Sequence, residues 1–260
     1  MELKCQQQAM NNLAQLAESG RQSILVEGPQ GCGKSYLAKQ FATILMVSDF
    51  VTVPPKVADI REAIDGCYNI NNPVVISIEN LDLGVPAASY TLLKFLEEPL
   101  PYVYIVVTCR NLKGVPDTII SRSAVVSVDP PTQADLVTYA SQMDYASANL
   151  AHQRGVWSLT RTFQDVDEVL HMTPDQLSFF DKTDTFTGFR DSVSTIVWNW
   201  SHYTDGRECN IAFSIRKIME LNRTPFVTKS CLDTLRELST GRVAQHAILS
   251  KLAFNLKYCE

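Results

Sequence analysis

The chain of 260 residues has no apolar run of the length that a membrane span requires, and its polar N-terminus does not resemble a signal peptide. It also has no excess of positive charge, because 23 lysines and arginines stand against 28 aspartates and glutamates, giving a net charge of −5. Such a balance creates no global field that attracts nucleic acid. Any contact with DNA must therefore come from a local patch or from a surface completed by other subunits, and no membrane partner is expected.

Paired cysteines are missing as well, since the seven cysteines are scattered without a Cys-x-x-Cys pair. The four histidines likewise lack the spacing of metal ligands. This pattern favours free thiols in a reducing compartment over disulfides or a zinc site, and it predicts a cytoplasmic protein. With 45% hydrophobic and 20% charged residues, the chain has the composition of a globular protein with a substantial core.

Near its start, the sequence contains a complete phosphate-binding loop of the pattern Gly-x-x-x-x-Gly-Lys-Ser/Thr. Residues 23–27 precede it and are typical of a buried strand, while an amphipathic helix begins at Tyr36. Lys34 is expected to reach the terminal phosphates of ATP, and the Ser35 hydroxyl is expected to ligate Mg²⁺. The residues predicted to bind ATP, which continue as far as Tyr36, are Gly28, Pro29, Gln30, Gly31, Cys32, Gly33, Lys34 and Ser35.

Strand-like and helix-like segments alternate up to about residue 130, which is typical of an α/β fold with a parallel sheet covered by helices on both faces. Besides the helix after the loop, a polar helix is predicted over 5–18 and others over 57–64 and 87–98, with a short one near Ile119. Buried strands are predicted at 23–27, 73–78, 102–107 and 124–128. A proline-rich break at 129–132 ends this region. Beyond it, helical segments are predicted over about 132–172 and about 189–259, with a polar stretch at 181–187 between them.

The predicted strand over 73–78 ends in Glu79 and Asn80. In phosphate-loop ATPases this strand carries an acidic residue to Mg²⁺, often followed by a glutamate that polarises the attacking water. Glu79 occupies the metal-side position, with a simple strand cap as the alternative. Asn80 stands where the glutamate is expected, and an amide cannot accept a proton at neutral pH. Because the loss of a general base slows a reaction by about 10²- to 10⁴-fold, we expect ATP binding with slow hydrolysis.

Two further segments resemble the AAA+ ATPase subunits of DNA polymerase sliding-clamp loaders. They read Leu-Leu-Lys-Phe-Leu-Glu-Glu-Pro over 92–99 and Pro-Asp-Thr-Ile-Ile-Ser-Arg-Ser over 116–123. The similarity is to the delta-prime and gamma/tau subunits of bacterial polymerase III and to phage counterparts, and it is dense over 20–131. It implies a AAA+ core over 1–130, a small helical lid over 131–180 and an all-helical collar over 181–260. The short chain, with no zinc module, further suggests a reduced, phage-type subunit.

The resemblance also implies roles for individual residues. Arg122 matches the arginine finger, which crosses to the ATP of a neighbouring subunit and neutralises charge on its γ-phosphate. The alternative is an arginine at an exposed helix end with no such role. The polar sensor after the third of the predicted strands corresponds to Thr108 or to Asn111, and the spacing leaves both open. Arg161 is the candidate second sensor in the lid, although a solvated arginine is an equal alternative.

In function, the resemblance implies a subunit that binds ATP and Mg²⁺ in a ring with other clamp-loader subunits and loads a sliding clamp onto primer-template DNA. Arg61, Lys94 and Arg110 are the candidates for DNA contact, and each could equally be a solvated charge. Two other functions stay open: a stand-alone AAA+ motor such as a helicase loader, and a non-hydrolysing structural subunit. The asparagine at position 80 favours the clamp loader or the structural subunit over the motor.

Overall fold

The computed structural model describes residues 4–68, 72–143, 160–171, 208–240 and 245–257. In the first part of the chain, strands and helices alternate. The strands are β1 (Ser23–Glu27), β2 (Asp49–Val53), β3 (Val74–Ile78), β4 (Val103–Cys109) and β5 (Ala124–Ser127). The helices are α1 (Lys4–Glu18), α2 (Lys34–Ile44), α3 (Val57–Cys67), α4 (Pro86–Glu97), α5 (Asp117–Ile120) and α6 (Gln133–Met143). Short 3₁₀ turns follow β3 (Leu81–Leu83) and β4 (Leu112–Gly114).

All five strands run parallel in one sheet of order β2-β3-β4-β1-β5. The central strands β3, β4 and β1 are mostly apolar and buried, with only Glu27 and Tyr104 half-buried, because a parallel sheet carries helices on both faces. Their carboxyl ends meet at one edge, where β1 leads into the phosphate-binding loop and β3 leads to Glu79. The order places β1 between β4 and β5, so the loop lies at the middle of that edge, as ligand sites do in open α/β sheets.

Each face of the sheet has its own hydrophobic core. On one face, α1 and α2 pack through Leu13, Leu37 and Phe41 against the sheet residues Val75 and Val106. On the other, α3, α4 and α5 contribute Ile60, Leu92, Phe95 and Ile119, which pack against the alternate residues of the strands, among them Ile76, Ile78 and Ile105. This alternation follows from the two-residue period of a strand. The predicted α/β class is confirmed, because one parallel sheet carries helices on both of its faces.

The predicted elements of the core occur with ends that shift by a few residues. The helix after the loop begins at Lys34 rather than Tyr36, and β4 runs two residues beyond the predicted 102–107. Strand β2 is not among the predicted elements. It joins the sheet by pairing with β3. Its residues are exposed or half-buried except for the buried Val53 at its end, so it lacks the apolar run by which the other strands were predicted.

The described residues fall into two compact units. The first comprises those up to Thr138 together with Thr162–Gln164, and the second comprises those at 139–143 and 160–161 and from Asp165 onward. The predicted helical run from 132 to 172 is interrupted, because Thr160–Thr162 are not helical and α7 (Phe163–His171) begins after them. Much of the predicted lid and the first part of the predicted collar lie outside the described residues, so these two boundaries stay predictions.

Three helices of the second unit form a hydrophobic core of their own. They are α8 (Glu208–Leu221), α9 (Pro225–Thr240) and α10 (Gln245–Lys257). Their buried residues recur at helical spacing and include Ile215, Ile218, Val227, Cys231, Leu249, Leu252 and Leu256. In the part of the chain that the structure describes, none of the helices is both long enough and apolar enough to cross a membrane.

Candidate nucleotide-binding site

The phosphate-binding loop connects β1 to α2 and takes its shape from glycines in left-handed conformations. Gly31 has φ 71° and Gly33 has φ 92°, values that side chains rarely tolerate. Gly33 is also the N-cap of α2, and none of the described side chains caps this helix start. The first N–H groups of α2 therefore have no partner within their own helix and face the direction from which an anion would be bound. The residues present fit a phosphate group at this position.

Two carbonyl groups of the loop are held by residues distant in sequence. The Gln6 side chain, on α1, donates from Nε2 to the carbonyl oxygen of Cys32 at 2.9 Å. The backbone N–H of Phe163 donates to the carbonyl oxygen of Gly31 at 3.0 Å. Gln6 is only 3% exposed. Sequence reasoning missed Gln6, which stands in a run of three glutamines with nothing in the pattern to distinguish it.

Lys34, the first residue of α2, is buried with its ammonium group inside the loop. Its Nζ donates to the carbonyl oxygens of Gly28 at 2.8 Å and Pro29 at 2.7 Å. Burial lowers the pKa of Lys34, while neighbours including Cys32 and Asp82 act in the opposite direction. Ser35 follows with an exposed side chain, and Tyr36 is half-buried. The lysine is thus held at the loop, and the hydroxyl predicted to ligate Mg²⁺ is accessible.

The thiol of Cys32 is fully buried in the loop, and that of Cys109 at the end of β4 is buried as well. Burial raises the pKa of Cys32, and burial together with the nearby Asp82 and Glu27 raises the pKa of Cys109 to about 12. Both thiols are therefore neutral at physiological pH, and Cys32 acts as a small buried residue that fills the loop.

The tip of β3 lies beside the end of β4. The backbone N–H of Asn80 donates to Thr108 Oγ1 at 2.9 Å, and the N–H of Glu79 donates to the carbonyl oxygen of Val53 at 3.0 Å. Thr108 is buried, whereas Asn111 is exposed and uses its side chain to accept from the N–H of Lys113 in its own turn. Of the two sensor candidates, Thr108 therefore lies at the tip of β3, whereas the Asn111 side chain forms a hydrogen bond within its own turn.

Asp82 is a second residue that sequence reasoning did not assign. It lies in the 3₁₀ turn after β3, and its Oδ1 accepts from the backbone N–H of Arg110 at 3.1 Å. The charges of Asp82 and Arg110 both act on Lys34, in opposite directions. Arg110, a candidate for DNA contact, is thus placed near Lys34, the lysine predicted to reach phosphate. The turn that brings Asp82 there is a product of the three-dimensional fold, and the only signal in the sequence is an acid three residues after Glu79.

Arg122 lies in the turn after α5 and makes an ion pair with the last residue of α4. Its Nη2 is 2.8 Å from Glu97 Oε1, and its Nη1 donates to the carbonyl oxygen of Thr118 at 2.9 Å. The arginine and glutamate side chains are 35% and 50% exposed. The structure therefore joins the two motifs that carry the clamp-loader resemblance, 92–99 and 116–123, through one surface ion pair.

The remaining candidate residues lie apart from the loop or in the other unit. Arg61 on α3 and Lys94 on α4 are exposed. Arg161 is exposed in the second unit, where its side chain donates to the carbonyl oxygen of Thr160 and its backbone N–H donates to Asp165 Oδ2 at 2.7 Å. Among the described residues, no three or more His, Cys, Asp or Glu side chains form a group that could hold a metal ion by themselves.

Two family matches divide the first half of the chain between them. Residues 56–132 match the family of the DNA polymerase III delta subunit, and residues 1–53 match the family of the magnesium chelatase subunit ChlI. No curated protein sequence matches the chain. The first match includes the tip of β3 and both segments that resemble clamp loaders.

Solved structures with the same fold cover nearly the whole chain. One is a DNA polymerase III gamma subunit-related protein from Thermotoga maritima, with a TM-score of 0.61 and 14% identity, over 96% of this chain and 98% of that one. Another is the replication initiator DnaA bound to AMPPCP and single-stranded DNA, with a TM-score of 0.53 and 12% identity, over 97% of this chain and 94% of that one. At such low sequence identities, the similarity to these two structures shows only that the fold is shared. The chain therefore has the AAA+ fold, and over residues 56–132 it is similar to the family of the DNA polymerase III delta subunit.

Proposed function

We propose that this chain binds ATP and acts as a subunit of an oligomeric clamp loader, with slow hydrolysis of its own. The observation that carries the proposal is the combination of a complete phosphate-binding loop and a half-exposed Arg122. The loop supplies N–H donors and Lys34 for phosphate oxygens. The arginine is fixed at the surface by Glu97, so it is available to a neighbouring chain rather than committed to the core.

Magnesium fits the proposed site through the exposed Ser35 hydroxyl and the half-buried Glu79 carboxylate, both oxygen donors of the kind that Mg²⁺ prefers. When bound, Mg²⁺ would neutralise charge on the phosphate chain. Thr108 holds the strand tip that carries Glu79 and Asn80, and we assign it the sensor position for that reason. The amide of Asn80 cannot act as the general base, so the protein is expected to retain ATP for longer than it would with a glutamate at this position.

The proposed partners are other clamp-loader subunits, a sliding clamp and primer-template DNA. Assembly is supported by the second unit, in which α9 and α10 expose Phe226, Leu232 and Phe254 although their opposite sides form a core. We assign residues 131–180 to the lid and 181–260 to the collar. Arg61 and Lys94 are proposed to contact DNA backbone from two neighbouring helices, and Arg161 is proposed as the lid arginine.

The first experiment measures binding of ATP by calorimetry to the wild type, Lys34→Ala and Lys39→Ala. Lys39 lies exposed on the same helix, so its variant controls for the loss of one positive charge. Only Lys34→Ala is expected to lose binding. The proposal fails when the wild type does not bind ATP, or when both variants bind as it does.

A second experiment distinguishes the three functions by the rate of ATP hydrolysis. A clamp-loader subunit is expected to hydrolyse slowly alone, and Asn80→Glu is expected to accelerate hydrolysis only together with partner subunits, clamp and primed DNA. Rapid hydrolysis by the isolated wild type would instead indicate a stand-alone motor. The structural subunit is the second candidate, favoured by the amide at position 80, and it predicts that Asn80→Glu has no effect under any of these conditions.

A further inference from the structure

We infer that Gln6 is a positioning residue of the phosphate-binding loop, which fixes the direction of the Gly33 N–H group toward a bound phosphate. The inference rests on the proposed function, because it assumes that a nucleotide binds at this loop. Nothing in the loop motif itself includes Gln6, which is 27 residues earlier in the chain than Gly33.

The first observation is the burial of a polar side chain against the loop. Gln6 is 3% exposed although it belongs to the first turn of α1, and its neighbours Gln7 and Gln8 are exposed. Burying an amide costs free energy unless it forms hydrogen bonds. Gln6 satisfies its Nε2 group by donating to the carbonyl oxygen of Cys32 at 2.9 Å.

The second observation is the geometry of the peptide unit that Gln6 holds. The carbonyl of Cys32 and the N–H of Gly33 belong to one planar trans peptide, so they point in opposite directions. Because Gln6 holds the Cys32 carbonyl on the side of α1, the Gly33 N–H must point away from Gln6. That N–H belongs to the N-cap of α2, at the helix start where anions bind.

The neighbouring peptide is held in the same manner. The carbonyl of Gly31 accepts from the backbone N–H of Phe163, which by the same planar geometry directs the N–H of Cys32 away from Phe163. Two consecutive peptides of the loop are therefore oriented by donors from outside it. Of these two donors, only Gln6 is a side chain, so it can be removed by substitution without altering the backbone.

The packing leaves no room for a side chain at either left-handed glycine of the loop. A Cβ atom added at Gly33 would collide with Gln6 Nε2, and one added at Gly31 would lie 2.7 Å from the Thr162 side chain. The glutamine amide thus lies directly against the left-handed glycine. A side chain without a donor at position 6 would leave the Cys32 carbonyl unsatisfied and would free the Cys32–Gly33 peptide to turn.

The experiment compares Gln6→Met with Gln7→Met, which removes an exposed glutamine from the adjacent position of α1. Affinities for ATP, ADP and adenosine are measured by calorimetry. Gln6→Met is expected to bind ATP and ADP about tenfold more weakly than Gln7→Met, because an oriented hydrogen bond to a charged group is lost. Adenosine affinity is expected to be equal in the two variants, since adenosine has no phosphate to be recognised.

Melting temperatures without nucleotide show whether each variant is folded, and Gln6→Leu supplies a second donor-free side chain where Gln6→Met unfolds. Equal ATP affinity of folded Gln6→Met and Gln7→Met would overturn the inference. An equal loss for adenosine would also overturn it, because Gln6 would then act on the nucleoside. Failure of the wild type to bind ATP contradicts the proposed function itself, whereas wild-type binding with an unimpaired Gln6→Met contradicts only the present inference.

Discussion

At the scale of single residues, the buried ammonium of Lys34 makes a prediction about pH. Burial lowers the pKa of Lys34 in the free protein below the ordinary 10.5, and phosphates beside the ammonium would raise it in the complex. The complex then holds more protons than the free protein, so affinity is full below the free pKa and decreases as pH rises through it. We expect ATP affinity to weaken before pH 10.5 is reached.

The measurement is the dissociation constant of ATP across the alkaline range, with circular dichroism showing at each pH that the fold persists. The buried thiols of Cys32 and Cys109 do not interfere at moderately alkaline pH, because burial raises their pKa values as well. A constant affinity up to the ordinary pKa of lysine would contradict this account of Lys34.

Asn80 has a conformational role in addition to its proposed place at the catalytic position. Its φ is 49°, in the left-handed region that asparagine tolerates and glutamate adopts at a cost of about 1–2 kcal/mol. Asn80→Glu is therefore expected to lower the free energy of unfolding by about 1 kcal/mol, measured with denaturant, while Asn80→Gly leaves it nearly unchanged. An equal loss in both variants would show that side-chain contacts, rather than backbone conformation, select the asparagine.

The residues that the sequence could predict are those in local patterns. The phosphate-binding loop is visible because its function depends on eight consecutive positions, 28–35. Gln6, Asp82 and Glu97 are not visible as site residues, because each acts through a partner far along the chain, Cys32, Arg110 and Arg122 respectively. A pattern of spacing contains no information on such pairs until the sheet order is known.

At the scale of elements, apolar runs predicted four of the five strands, since β1, β3, β4 and β5 are all rich in β-branched residues. The edge strand β2 was not predicted because it is largely exposed and so lacks an apolar run. It is defined by its pairing with β3, which is distant in sequence. The observed start of α2 also differs from the predicted one, because the local pattern does not determine it. Lys34 and Ser35 belong to a functional motif and also to the first turn of α2, and the motif alone does not say where the helix begins.

Two ion pairs of the second unit allow a matched test of burial. Asp165 and Arg216, which join α7 to α8, are 5% and 24% exposed, whereas Glu237 and Lys251, which join α9 to α10, are 38% and 62% exposed. Removing one partner of a buried pair leaves an uncompensated charge and costs about 3–5 kcal/mol. An exposed pair is screened by water and contributes far less to stability.

We therefore expect Arg216→Met to reduce the free energy of unfolding several-fold more than Lys251→Met, as measured by urea denaturation. The two substitutions each replace one cation by the same apolar side chain. The buried Asp165 oxygen also accepts from the N–H of Arg161, so its pair with Arg216 fixes the start of α7 as well. If both variants lost the same free energy of unfolding, the charge of Asp165 would have to be compensated by groups other than Arg216.

At the scale of the whole molecule, the fold explains why a site could be completed by a second chain. The phosphate-binding loop and Arg122 belong to the same unit, yet Arg122 is held by Glu97 in an ion pair of its own and is partly exposed. Under the proposed function, one chain supplies the loop and another the arginine. A planar guanidinium has donors on more than one edge, so binding Glu97 does not exhaust its capacity for a phosphate.

The trans arrangement predicts complementation between two inactive variants. Lys34→Ala loses its own nucleotide but keeps the arginine, and Arg122→Ala keeps its nucleotide but cannot serve a neighbour. In the presence of clamp and primed DNA, each alone is expected to hydrolyse ATP more slowly than the wild type. Their mixture is expected to recover part of the rate, because interfaces form that combine an intact loop with an intact arginine. Arg122→Lys, which keeps the charge without the planar fork, is expected to complement less well. A mixture no faster than the sum of its components would contradict a finger shared between copies of this chain.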